Sequence, residues 1–212
     1  TIVTNVISLI LALGLNSKIR AKGFFRAAYF LPNVLGALVV GYVFQYLFTY
    51  ILPVFGEMIG SGALSSSMLS NENTAWIAIM IVCCWQNIAM NTIIYISGLQ
   101  TVPEDVYEGG SLDGATGWKK FRHLTFPLII AFFTINMVLC VKNFLMVFDQ
   151  IMAMTKGGPA QSTESISFLI YNNGMSGGQF GFQSANAVIF FIVIVAISAA
   201  QMSISSRKEE QL

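Results

Sequence analysis

Charge is what this chain has least of. Charged side chains make up 10% of its 212 residues, against about 25% in a typical soluble domain. So little charge excludes an ordinary water-soluble surface, and a net charge of +1 points to neither nucleic acid nor an acidic partner. Histidine occurs once, at His123, and cysteine three times, at Cys83, Cys84 and Cys140. All three cysteines fall inside apolar blocks with no histidine nearby, which gives neither a disulfide frame nor a metal site and leaves packing as their role. No G-x-x-x-x-G-K-[ST] occurs, so the chain lacks the usual phosphate loop for nucleotide. The first apolar block has no charged n-region and no A-x-A site, so it is not expected to be a cleavable signal peptide. There is no internal repeat and no low-complexity tract.

What the chain does have is oil, in blocks. Hydrophobic residues reach 55% and the mean hydropathy is +0.70. A spanning helix needs about 20 mainly apolar residues, and four blocks of that size occur at 26–49, 75–98, 126–148 and 184–205. A fifth, residues 1–15, is shorter and begins without methionine, so it reads as the back half of a span whose beginning is missing. The expectation is an all-α membrane protein, a polytopic helical bundle with five transmembrane segments, forming one transmembrane domain over 1–212 and truncated at its N-terminus.

The few cations are placed unevenly. Lys18, Arg20, Lys22 and Arg26 follow the first block, Lys119, Lys120 and Arg122 lie between the third and fourth, and Arg207 and Lys208 follow the last. Nine of eleven therefore share one face if the segments alternate, with Lys156 opposite and Lys142 inside a span. The positive-inside rule puts 16–25, 99–125 and 206–212 in the cytoplasm, and 50–74 and 149–183 outside.

Local signals set the connections. Residues 50–74 read as a loop with one short interfacial helix, Ile51 to Ile59, ending where Asn73 or Thr74 caps the next span. In the second external segment Gly157-Gly158-Pro159 requires a turn, and Ser162 or Thr163 opens a short helix. Pro127 opens the fourth span, while Pro32 should kink the second.

One island stands apart from the oil. Between Pro103 and Pro127 lie Glu104, Asp105, Glu108, Asp113, Lys119, Lys120 and Arg122, a third of the charged residues in 25 positions, with four glycines among them. Pro103 followed by two acids is a helix start. Asp113-Gly114 breaks that helix, and Thr116 or Gly117 starts a second with Trp118 and Phe121 on one face. A plain solvated connector would need neither the two aromatics nor Gly109-Gly110 inside a helix, where each glycine costs about 1 kcal/mol relative to alanine. A bare, glycine-rich bend instead lets another protein approach the backbone closely.

The island resembles the cytoplasmic "EAA" loop of ABC importer permeases, E-A-A, three residues, G, nine residues, then I-x-L-P. Here Glu108-Gly109-Gly110, Gly114 and Leu124-x-Phe126-Pro127 keep both intervals, with glycines for the alanines, Leu for Ile and Phe for Leu. "GFFRAAYFLPN", "WQNIAMNTIIYISGLQTVPEDVYE" and "VFDQIMAMTKGGPAQSTE" are similar to segments of carbohydrate-type permeases, and the GGP turn to the first of their two permease subunits. The resemblance implies the MetI-like permease fold with the family's first span absent, in a bacterial cytoplasmic membrane. It makes 103–125 a coupling loop for a separate ATPase, with Glu108 meeting a basic residue, Gly109 and Gly110 on the docking helix, and Leu112, Asp113, Gly114 and Ala115 at the tip. The implied partners are a second permease subunit, two ATPase subunits and an extracytoplasmic sugar-binding protein. ATP and magnesium would sit on the ATPase, leaving this chain without a cofactor or an enzymatic role.

Polar residues inside the blocks are candidates for the substrate route: Gln86, Asn87, Asn91, Asn136, Lys142 and Asn143. Such amides can bond sugar hydroxyls or serve as glue between helices. Lys142 is functional or snorkels toward the outer surface. An amino-acid or phosphate importer shares the island and is the alternative within this class. Gly174-Met175-Ser176-Gly177 fits a rhomboid-type serine protease, but the only histidine is expected a bilayer away, about 30 Å, beyond the ~2.6–3.2 Å reach that a base requires. A secondary carrier would explain the polar spans and not the island.

Overall fold

Prolines that a helix passes through, and one glycine held extended, account for where the spans depart from the apolar blocks. The computed structural model describes residues 1–16, 22–62 and 64–209. All its regular elements are helical: α1 (Ile2–Asn16), α2 (Lys22–Val34), α3 (Ala37–Met58), α4 (Glu72–Thr101), α5 (Glu104–Leu112), α6 (117–128), α7 (Ile130–Leu145), α8 (Asp149–Met154), α9 (Ile166–Tyr171) and α10 (Phe180–Glu209). Among the described residues four stretches are long and apolar enough to cross a membrane: Ala37–Met58, Glu72–Thr101, Ile130–Met154 and Phe180–Ser205. α1 is apolar but has only 15 residues.

Two boundaries differ from those expected. The second block does not run as one span from residue 26. α2 ends at Val34, and α3 starts after Gly36, whose φ of −59° and ψ of 137° place it in an extended conformation. Pro32 lies inside α2, and the break falls beyond it. The span then continues to Met58, absorbing the short external helix expected at 51–59. It does so through a π-helical turn at Leu47–Ile51, ahead of Pro53. A second π turn, Phe121–Thr125, precedes Pro127. A proline lacks the N–H that would bond the carbonyl four residues back and its ring crowds that carbonyl, so widening the preceding turn keeps the helix continuous.

The caps also shift. Asn71, not Asn73 or Thr74, opens α4, its Oδ1 accepting from the Asn73 N–H at 2.8 Å. Ser165, not Ser162 or Thr163, opens α9 by accepting from the Phe168 N–H at 3.1 Å. Thr163 instead holds the preceding turn, its Oγ1 donating to the Gly158 carbonyl and lying 2.8 Å from Thr155 Oγ1. That turn contains a cis Gly158–Pro159 bond. The cations Lys18 and Arg20 lie outside the described residues.

The chain divides into two packed units, with α2, α4, α7 and α10 each giving residues to both. One comprises Thr1–Leu31, Asn87–Val141 and Ala196–Leu212. Its core is Ala12, Leu15, Tyr95, Ile96, Leu99 and Ile129, so α1 lies along the second half of α4. Polar groups fasten the two helices: Tyr95 donates to Asn5 Oδ1 at 2.9 Å, and Ser8 to the Ile88 carbonyl at 3.3 Å. The other unit comprises Pro32–Gln86 and Lys142–Val195, around Val40, Phe48, Val82, Ile151, Met154 and Phe168. There α8 packs on α3 at Gly41, where an added Cβ would lie 2.5 Å from the Ala153 Cβ. Small residues of this kind let helices meet backbone to backbone in lipid, where dispersion and hydrogen bonds drive association.

Candidate functional site: the charged island and the span amides

The island folds as its pattern requires. Pro103 sits in extended conformation ahead of α5, and Glu104 and Asp105 occupy the first turn, where the helix dipole favours acids. Asp113 ends the helix, and Gly114 follows at φ +76°, a left-handed geometry that costs an L-residue with a Cβ about 1–2 kcal/mol. Of the two starts expected for the next helix, Thr116 is the N-cap and Gly117 the first helical residue. Trp118 and Phe121 share a face, their ring centroids 5.2 Å apart.

The two limbs brace each other. Lys120 Nζ lies 4.5 Å from the centre of the Tyr107 ring, and such a cation–π contact contributes about 0.5–1 kcal/mol at an exposed site. The Gly110 Cα side faces the Leu124 side chain so closely that a Cβ would displace it. Gly109 faces open space. His123 Nδ1 lies 3.1 Å from the Lys119 carbonyl, which engages the only histidine within the island.

The tip is bare. Leu112 is 90% exposed and Trp118 70%, with Glu108, Asp113 and Gly114 exposed around them and Ala115 half-buried. Large apolar side chains held outward on a rigid, charged bend form a surface suited to a groove in another protein.

The six amide and lysine candidates separate. Asn91 and Asn136 are 1% and 0% exposed and lie together: Asn136 Nδ2 donates to the Asn91 carbonyl at 3.1 Å, and Asn91 Nδ2 to Cys140 Sγ at 3.6 Å. Asn87 belongs to the same unit and is half-buried. In the other unit Gln86 Nε2 donates to the Pro32 carbonyl at 3.5 Å, and Gln86 Oε1 accepts from Gln150 Nε2 at 2.7 Å. Lys142 and Asn143 are exposed there. Gln150, Asn5 and Tyr95 were not picked out by sequence. Asn5 and Gln150 sit near the ends of apolar blocks, where a polar residue looks like a boundary and not a partner.

A chain whose described elements are all helical, with four long apolar helices and a charged hairpin between two of them, is a multi-pass membrane protein. Residues 4–210 match the family described as "Binding-protein-dependent transport system inner membrane component". The chain is 39% identical over 204 residues to the multiple sugar-binding transport system permease protein MsmF of Streptococcus mutans, covering 96% of this chain and 70% of that protein. It is 33% identical over 211 residues to the probable starch degradation products transport system permease protein AmyD of Thermoanaerobacterium thermosulfurigenes, covering 100% of this chain and 72% of that one. Its fold is that of a chain in a bacterial alginate ABC transporter in complex with a periplasmic protein bound to alginate pentasaccharide, with TM-score 0.79, 21% identity, and coverage of 97% of this chain and 73% of that one. The chain belongs to the inner-membrane component family of binding-protein-dependent transport systems and is a permease of the ABC importer type. Neither the protease nor the carrier reading finds support in these relatives.

Proposed function

We propose that this permease carries a neutral sugar or related polyol inward across the bacterial cytoplasmic membrane, driven by ATP hydrolysis on separate subunits that grip residues 103–125. The observation that carries the coupling half is the outward-held Leu112 and Trp118 on a hairpin closed by Gly114. The carbohydrate half is supported by relatives whose names specify multiple sugars and starch degradation products. The working assembly would contain a second permease, two ATPase subunits holding ATP and magnesium, and an extracytoplasmic sugar-binding protein facing 50–74 and 149–183. This chain itself would perform no catalysis. Glu108 with Gly109 and Gly110 would form the docking helix, and Leu112, Asp113, Gly114 and Ala115 its tip. Gln86, Asn87, Lys142 and Asn143, which retain exposure, would face the sugar, with Asn91 and Asn136 acting as interhelical glue.

The test reverses one charge. Removing one partner of a desolvated interfacial pair costs about 2–5 kcal/mol, against about 0.2–1 kcal/mol for an exposed pair. Glu108→Lys should therefore abolish substrate-stimulated ATP hydrolysis and uptake in vesicles while membrane insertion continues. Wild-type rates with normal co-purification of the ATPase would reduce the island to a connector.

A further inference from the structure

A cavity of about 280 Å³ lies within the second unit, between α9, the turn Asn172–Ser176 and the first turns of α10. Its lining includes Ser167, Tyr171, Gly174, Phe180, Gln183 and Ser184. The sequence pattern had placed this segment outside, and neither the island nor the span amides involve it.

Gln183 is the unusual residue here. It is 3% exposed, yet its side chain bonds only through Oε1, which accepts from Asn186 Nδ2 at 3.1 Å. Its Nε2 donates to no acceptor among the described residues. That nitrogen is not sealed in either, since Asn136 Oδ1 is the one sealed, unpartnered side-chain atom among them. A buried primary amide whose free donor opens onto a cavity offers that donor to whatever occupies it. The other lining groups fit the same partner. The Ser167 and Tyr171 hydroxyls make no hydrogen bond among the described residues, and each can both donate and accept. Ser184 donates to the Phe180 carbonyl at 2.8 Å, leaving its oxygen able to accept. Phe180 and Tyr171 add aromatic surface, and Phe148 sets the Tyr171 ring edge-on at 5.1 Å.

We infer that this cavity is a subsite for one ring of a neutral saccharide, placed at the outer end of α10. A sugar ring offers apolar C–H faces for aromatics and hydroxyls that both donate and accept, the two chemistries assembled here. No charged side chain is among the lining residues, which disfavours a phosphorylated ligand. An acyl chain would leave the Gln183 amide unpaired. The subsite rests on the carbohydrate reading above and adds a place where an incoming oligosaccharide is held before it reaches the spans.

The test uses the full transporter in nanodiscs and a photoreactive, radiolabelled maltotriose. Labelling should fall on a peptide within 167–187 and be displaced by unlabelled maltotriose. Gln183→Met, which keeps the side chain's length and removes its amide, should cut that labelling about tenfold, the factor expected from one lost hydrogen bond. Tyr171→Phe keeps the ring against Phe148 and should cut it severalfold, so the inference does not depend on one buried substitution. Both variants should raise the half-saturating maltotriose concentration for uptake and leave the maximal rate near wild type. Labelling that is absent from 167–187, indifferent to both substitutions, or displaced by phosphatidylglycerol instead would overturn the subsite. If the wild type imports maltotriose under those outcomes, the subsite alone falls. If it imports no saccharide at all, the carbohydrate reading falls with it.

Discussion

Asn136 donates one hydrogen bond to the Asn91 carbonyl, while its Oδ1 is sealed with no partner among the described residues. An orphaned buried acceptor costs about 1–3 kcal/mol, and one net hydrogen bond returns about 0.5–1.5 kcal/mol. Glue of this kind is close to neutral in free energy and fixes which faces of α4 and α7 meet. Asn136→Leu keeps the volume and removes both the bond and the orphan. The detergent-solubilised complex should melt within a few degrees of wild type, or slightly higher, and uptake should persist. A folded Asn136→Leu variant that fails to transport would place this amide on the substrate route instead. Gln86 stands differently, because Gln150 and the Pro32 carbonyl hold its amide in one orientation at a half-buried position.

Elements in this chain are long helices that tolerate local faults. π turns at Leu47–Ile51 and Phe121–Thr125 each sit just ahead of a proline, so α3 and α6 bend their hydrogen-bond ladder and do not stop. The hairpin between α5 and α6 depends on a different device, the left-handed Gly114. Gly114→Val puts a β-branched side chain at φ +76°, where such residues are genuine outliers. Its Cβ would meet no neighbour, so the strain is confined to the backbone. The variant should insert normally, yet lose ATPase co-purification and uptake severalfold, with Leu112 no longer held at the tip. Wild-type coupling in Gly114→Val would show that the tip geometry is dispensable.

For the whole molecule the decisive quantity is sidedness. On the positive-inside rule the island is expected in the cytoplasm and the turns around Ser66 and Gln179 outside. Single cysteines test this in a background carrying Cys84→Ser, with Cys83 and Cys140 left buried. Ser66→Cys and Gln179→Cys should react with an impermeant thiol reagent added to intact cells, and Thr116→Cys only after permeabilisation. These three positions avoid the left-handed backbone of Gly117 and Gly178. External labelling at Thr116→Cys would invert the arrangement and remove the island from reach of any cytoplasmic ATPase.

Membrane class, the number of long apolar helices and the hairpin were legible in the residues themselves. Twenty apolar positions in a row have one stable outcome in lipid, where the backbone must satisfy its own hydrogen bonds. The acids after Pro103 and the glycine after Asp113 likewise act within a few residues of where they stand. Span limits were less legible, because α3 continues through Pro53 by way of a π turn and begins only after Gly36, held extended. Partnership was decided by the tertiary structure alone. Nothing in the order of residues says that Tyr95 reaches Asn5 or that Gln150 holds Gln86. Those meetings join positions distant in the chain, and in lipid, where every helix face is comparably apolar, only the packed arrangement selects which polar groups find each other.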